Sequence, residues 1–516
     1  MSKDRQLYTL ILSILSVLVA GMISLQLLSS WTQPQAQSQL NLYESDLLLQ
    51  ASAWQETNPQ PGSSPLIEGL WGDSDPVEQA LKNYRKIRES STAQSVSKTS
   101  GGVGAFIDEL DLRLGLLYAK HDQVDDAIAT WTHLINESKS TQSDQRVKTA
   151  TVLRELWRES PQMLPQAEEQ IQSQLKGWFR YQGLAQLKQL QQRPDDLTAL
   201  RLQEHTEAET ALTRLIAVQV LPAFGGILGL GILVFWLVQA VIKKRQGLGN
   251  GSSSLEGAAP PANDGDMAED TANPSDGLAA SVSWPITTIW QVMVVWFTAF
   301  FCVSFILPVV LYIIGAKPET FGARGQAYLA LAQYSLLMAV GFSILYLSLK
   351  PFLTKPIEWL PLRLQGPWLR WGLSGYLAAL PLVVVISLLN QKLLQNQGGG
   401  NPLLEIILNS HDSFSMGLLL FMVAVLAPLF EEILFRGFFL TSLTRYLPTW
   451  GAIGLSGLVF AIAHLNLSDI LPLTVLGCML GFVYTRSRNL LASMLLHGLW
   501  NSGSFLGLIL LGSSVG

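Results

Sequence analysis

Charge is the first thing this sequence lacks. Asp, Glu, Lys and Arg make up 14% of its 516 residues, against about 25% in an average soluble protein. A disordered chain needs high charge and few apolar residues. Here 49% of residues are hydrophobic and the mean hydropathy is +0.29, which excludes disorder and argues against an ordinary cytosolic enzyme. Cysteine is almost absent: Cys302 and Cys478 both lie in apolar runs, so neither a disulfide framework nor a cysteine-built zinc site is available. Excess positive charge is missing too. At a net charge of −5 the chain carries no electrostatic footprint for nucleic acid, and no nucleic-acid partner is expected. It has no Gly-x-Ser-x-Gly elbow for serine catalysis and no His-Glu-x-x-His helix for a standard zinc site. What it has in quantity is long uncharged apolar stretches, the mark of membrane spans.

The first run, residues 7–28, follows Lys3 and Arg5. It is longer than the apolar core of a signal peptide and lacks an Ala-x-Ala cleavage site. Residues 1–30 therefore read as an uncleaved signal anchor with a cytoplasmic N-terminus. Residues 31–214 are polar and helical in pattern, rich in Gln, Glu, Lys and Arg, and are expected outside the cytoplasm. Inside them, Leu114-Gly115, Tyr118, Ala127 and Trp131 are spaced as in a tetratricopeptide repeat, where small residues let two antiparallel helices approach and aromatics fill the gap. Asp111 and Lys139 stand where that pattern has Trp and Pro, and no second copy follows. One repeat-like hairpin and an irregular helical domain both remain open. Residues 215–242 are uncharged and end in Lys243-Lys244-Arg245, a second span with its basic end in the cytoplasm. Residues 243–284 are rich in Gly, Ser and Pro, with acidic Glu256, Asp264, Asp266, Glu269, Asp270 and Asp276. They read as a flexible linker with no fold.

Residues 285–516 read as a polytopic membrane domain. Uncharged runs cover 286–314, 326–349, 371–389, 413–430, 446–464, 470–485 and 490–511. Each is close to the roughly 20 residues that cross a bilayer. Only 470–485 is short, and it is expected to be tilted inward or re-entrant. Lys350, Lys355, Arg363 and Arg370 share one connection, Arg436 and Arg445 another, Arg486 and Arg488 a third. All three fall on the cytoplasmic side if the N-terminus is cytoplasmic. The expectation is thus an all-α membrane bundle of nine spans with an N-terminal extramembrane helical domain. Whether that domain faces a periplasm, a lumen or an organelle stays open.

Ionisable groups inside spans are costly, so each is a functional candidate. Here they are Glu431, Glu432, Arg436, His464 and His497, with Asn501 as a polar companion. Glu432 and Arg436 are four apart and share a helix face, while Glu431 points about 100° away. Glu432 can be held by Arg436 and Glu431 left to act. Two adjacent carboxylates in a low dielectric do not both ionise easily, which suits a general base. Phe460 and His464 share one face of the next span, with Phe460 the candidate substrate contact. His497 and Asn501 share a face of the last. Singly, each has a bland reading: a surface ion pair, a histidine on a backbone carbonyl, an interhelical hydrogen bond. Together they can converge on a cavity where a carboxylate takes a proton from water while imidazoles and an amide hold that water and stabilise an oxyanion. The same Glu431, His464 and His497 would also suit zinc with an open water position. His121, His133, His205 and His411 read as exposed or structural.

At these motifs the sequence resembles the CPBP family of intramembrane endopeptidases, which includes the type II CAAX prenyl endopeptidases and the bacteriocin-processing and self-immunity (Abi-like) proteins. The family pattern is Glu-Glu-x-x-x-Arg, Phe-x-x-x-His and His-x-x-x-Asn. Here it reads EEILFR at 431–436, FAIAH at 460–464 and HGLWN at 497–501. The resemblance covers about 413–511 and extends to the earlier spans from 286, with the protease core at about 371–511, and leaves the first 250 residues out. It implies an all-α membrane fold with a polar cavity. Glu431 would be the water-activating base, and Glu432 with Arg436 its support. His464, His497 and Asn501 would orient water and stabilise the oxyanion. The family has been described as metalloprotease-like, but a metal-free glutamate peptidase suits these residues better. The implied substrate is a membrane protein or lipidated peptide, with a protein partner for the helical domain. Two rivals are a non-catalytic scaffold or immunity-type protein, and a transporter using Glu431 as a proton relay. No inverted repeat supports the transporter.

Overall fold

The computed structural model describes residues 3–31, 36–57, 75–95, 101–137, 143–250, 282–317, 320–353, 360–394, 399, 407 and 412–512. Among these no strand occurs, and the fold is all-α. Most of the linker expected at 243–284 lies outside the described residues, as do His411, Lys139 and Lys355. The chain divides into two compact units, Pro34–Leu221 with Leu403–Asn409 and Leu506–Gly516, and Met1–Gln33 with Pro222–Pro402 and Ser410–Phe505.

The first unit is built from α2 (Ala36–Thr57), α3 (Pro76–Ser95), α4 (Gly101–Lys120), α5 (Val124–Glu137), α6 (Ser143–Leu156), α7 (Ala167–Gln174), α8 (Gly177–Leu190) and the start of α9 (Pro194–Asn250). The α4–α5 turn holds Asp122 at φ 59°, a left-handed position that Asp tolerates better than most residues. A Cβ at Gly115 would overlap the Trp131 indole, so a glycine here is what lets α4 and α5 close. Trp131 is fully buried and donates from Nε1 to the Leu112 carbonyl, 3.2 Å away. Two carboxylates inside this unit are paired with arginines, as burial of charge requires. Arg88 forks onto the buried Asp111 at 2.8 and 3.1 Å, and Asp46 accepts from Arg113 at 2.9 Å and from Tyr84. His133 is half exposed, with Asp111 3.8 Å and Glu137 3.7 Å away.

The second unit holds α1 (Lys3–Trp31), the later part of α9, α10 (Ile286–Ile313), α11 (Ala323–Leu349), α12 (Trp368–Leu394), α13 (Ser413–Leu443), α14 (Thr449–Ile462), α15 (Ile470–Ser487) and α16 (Leu490–Gly512). Hydrocarbon offers no partner to backbone N–H and C=O groups, so apolar runs of this length satisfy them internally as helices. Eight helices among the described residues are long and apolar enough to cross a membrane, and the protein is a multi-pass integral membrane protein. Helix α9 runs unbroken from Pro194 to Asn250, with Pro222 inside it. The Trp290 indole donates to Ser16 Oγ at 2.8 Å, tying α10 to α1. Trp284 stacks on Phe438 and donates to Ser442 Oγ at 2.8 Å.

The short element is not where the run lengths put it. Helix α15 has 18 residues, while α14, expected as a full span, has 14. At 1.5 Å per residue α14 is about 21 Å long, against a hydrocarbon core of about 30 Å. Pro448 sets its start and a turn with Leu465 at φ 56° follows its end. His464 therefore sits in a turn at the end of a shortened helix rather than within a span.

Candidate functional site

Helix α13 carries Glu431, Glu432 and Arg436. Its first turn is anchored by Asp412, which accepts from the Ser415 N–H at 3.0 Å and from Ser415 Oγ at 2.6 Å, a side-chain N-cap. The Arg324 guanidinium forks onto the same carboxylate at 2.9–3.1 Å. Further along, the Phe430 ring packs onto Gly341. These two contacts hold α11 alongside α13.

Two π-helical turns interrupt α13, Met422–Leu426 and Ile433–Leu440, and they flank the segment Ala427–Glu432. Such turns recur at functional sites. The first has a chemical cause in Pro428, which has no N–H for the carbonyls one turn back, those of Val423 and Ala424. Helix α16 packs against both. Asn501 Nδ2 donates to the Val423 carbonyl at 2.8 Å, and Gly498 passes so close to Ala424 that a Cβ there would lie 2.6 Å from its oxygen. The glycine in HGLWN thus lets α16 seat against the widened turn.

Glu432 and Arg436 have 0% exposure and pair at 2.7 Å. The same Oε1 of Glu432 is 2.9 Å from His497 Nδ1; a carboxylate here assigns the Nδ1 proton as the donor. Arg436 also donates to the Gly477 carbonyl of α15 at 3.1 Å, and its guanidinium lies 4.5 Å above the Phe460 ring of α14. Three elements therefore grip one cation. The Gly477 carbonyl is reachable because α14 and α15 touch at Gly457 and Gly477, where a Cβ on the latter would sit 2.7 Å from the former's Cα.

With Nδ1 on Glu432, His497 turns Nε2 towards Glu431, 3.8 Å from Oε2. The Glu431 side chain is 18% exposed. Its Oε1 accepts from the Tyr334 hydroxyl at 3.2 Å, and its Oε2 is buried without a hydrogen-bond partner. Glu431, Glu432, Arg436 and His497 thus come together. Asn501 lies one turn beyond His497, bonded to the backbone. His464 is exposed; its Nδ1 is 2.9 Å from the Phe460 carbonyl, which leaves Nε2 as its available nitrogen. Phe460, expected to touch substrate, is fully buried. Its ring is enclosed by Arg436, Phe435, His464 and His497, so it offers substrate no surface and instead packs the charged pair in place. The conditional zinc set does not assemble in this arrangement. Glu431 and His497 face each other, but among the described residues no group of three or more His, Cys, Asp or Glu is gathered as ligands.

Tyr334 was not legible from the sequence. It is one of three tyrosines in the run 326–349, each an apolar ring with a polar tip of the kind common in membrane helices near the interface.

These features define a class: a multi-pass all-α membrane protein with a buried Glu–Arg–His cluster built on a π-bulged helix. More particularly, residues 413–503 match the family model described as type II CAAX prenyl endopeptidase Rce1-like. The matched segment starts with α13 and ends within α16, and all seven of the motif residues lie in it: Glu431, Glu432, Arg436, Phe460, His464, His497 and Asn501. Tyr334 lies outside it. No curated protein and no solved structure matches the chain.

Proposed function

We propose that this protein is an intramembrane endopeptidase in which Glu431 activates water to hydrolyse a peptide bond of a membrane-associated protein or lipidated peptide. The observation that carries this reading is the pair Glu431 Oε2 and His497 Nε2, 3.8 Å apart, each with its other polar atom already committed. That gap is too long for a direct hydrogen bond but suits a water about 2.8 Å from each atom. Such a water donates one hydrogen to each and keeps a lone pair for attack.

Glu431 takes the first proton. The hydroxide oxygen bonds to the scissile carbonyl carbon, and the carbonyl oxygen becomes an oxyanion. The second Nδ2 hydrogen of Asn501 and the His464 imidazole are the groups assigned to stabilise that charge. Glu431 then passes its proton to the leaving nitrogen as the C–N bond breaks, giving a carboxylic acid and an amine. Glu432 and Arg436 fix the tautomer and direction of His497. The Rce1-like match supports a CAAX-type protease class. Residues 31–214 would recruit substrate or a protein partner, with the N-terminus cytoplasmic and that domain outside. The asymmetry of Lys and Arg between connections supports this orientation.

The test compares new protein N-termini in membranes carrying the wild type and Glu431→Ala, with and without a zinc chelator. The reading expects termini that vanish in the variant and survive the chelator. Loss under chelation would put a metal in the site, and identical wild-type and variant profiles would make the protein a non-catalytic scaffold.

A further inference from the structure

The two oxygens of Glu431 are treated differently. Oε1 accepts from Tyr334, while Oε2 is buried, has no hydrogen bond and faces His497. A glutamate's terminal torsion is broad and roughly two-fold, so an unanchored carboxylate presents either oxygen to a water. One directional hydrogen bond on Oε1 removes that degeneracy. We infer that Tyr334 is a positioning residue that ties down Oε1 of Glu431 and so makes Oε2 the oxygen that takes the proton. The inference rests on the reading of Glu431 as the general base.

The hydroxyl is well placed for this. It comes from α11, which is held to α13 on either side of Tyr334, by Arg324 on Asp412 and by Gly341 against Phe430. Tyr334 and Gly341 are seven residues apart and so share a helix face. The tyrosine is half-buried, so its hydrogen bond to a carboxylate is stronger than one in open water. The phenol loses nothing in the reaction. It donates to the charged carboxylate before proton transfer and to the remaining carbonyl-like oxygen afterwards. The segment 413–503 does not supply this group, so the site draws on a helix beyond the Rce1-like domain.

The test uses the purified full chain in detergent and a synthetic peptide spanning the most abundant Glu431-dependent cleavage found in membranes. Tyr334→Phe keeps the ring and removes only the hydroxyl. Tyr328→Phe, on the same helix at an exposed ring against Phe414, is the control. The expected result for Tyr334→Phe is a kcat lower by roughly 10- to 100-fold, the effect of losing a hydrogen bond to a charged group. KM should be unchanged, with the loss confined to kcat per folded molecule. Tyr328→Phe should behave as wild type. A Tyr334→Phe kcat equal to wild type would overturn the inference alone and leave the Glu431 reading standing. A slower variant whose loss matches its loss of folded protein would overturn it in favour of simple packing. If membranes show no Glu431-dependent cleavage at all, the general-base reading fails first and the inference falls with it.

Discussion

Arg436 is the side chain with most resting on it. Its charge is fully buried and shared among a carboxylate, a carbonyl and an aromatic face. Removing one partner of a buried ion pair costs about 3–5 kcal/mol, because the other charge is left uncompensated. Arg436→Met should therefore lower the unfolding temperature in detergent sharply and abolish cleavage. Adding Glu432→Leu should restore much of the stability by making the pair apolar, yet restore no cleavage, because His497 then has nothing to set its tautomer. Full stability in Arg436→Met alone would show that the pair carries no such cost. At this scale the sequence was informative where spacing decides: Glu432 and Arg436 at i and i+4, with Glu431 turned away. It misled at Phe460, whose burial depends on Arg436, Phe435 and His497 arriving from other helices. It was silent on Tyr334, because no local pattern marks which tyrosine of an apolar helix meets a carboxylate 97 residues later.

At the scale of elements, catalytic geometry depends on how α16 seats on the first π turn of α13. Gly498→Ala places a Cβ 2.6 Å from the Ala424 oxygen, so α16 must shift and carry His497 and Asn501 with it. Displacement of a site by about 1 Å can cost up to about 100-fold in rate. Gly498→Ala is expected to lose rate out of proportion to any loss of thermal stability, measured on the same preparation; an unchanged rate would mean the helices can repack around the methyl.

The cap of α13 makes a pH prediction. Hydrogen bonds from Arg324 and then Ser415 hold the Asp412 carboxyl well below the usual carboxylate range. A lowered folded-state value means the cap stabilises above the ordinary aspartate range and that this contribution is lost as pH falls through the folded value. Asp412→Ala should therefore unfold at a lower temperature than wild type at neutral pH, and the gap should narrow in acid. A gap that is constant with pH would place the effect outside this carboxylate. The π turns and the shortness of α14 were not legible from run lengths. Pro428 and Pro448 are ordinary prolines in sequence, and their effect depends on what packs against the freed carbonyls and helix ends.

At the scale of the whole molecule, the all-α membrane architecture was legible because hydrocarbon leaves an apolar run few alternatives to a helix. Orientation is the open expectation, and it is testable by cysteine labelling. With Cys302 and Cys478 replaced by Ser, Glu169→Cys in the first unit should react with a membrane-impermeant maleimide added outside intact cells. Arg488→Cys, in the connection after α15, should react only after permeabilisation. The reverse pattern would invert the proposed topology, and with it the side from which residues 31–214 recruit their partner.

The most direct test of the central claim is the rate of Glu431→Gln on a mapped cleavage site. The substitution keeps the shape of the side chain and removes its ability to accept a proton. The account predicts a loss of about 100- to 10,000-fold, the usual contribution of a general base, with the folded protein recovered at wild-type level. Cleavage at an undiminished rate would contradict it, and the work of activating water would have to belong to another group.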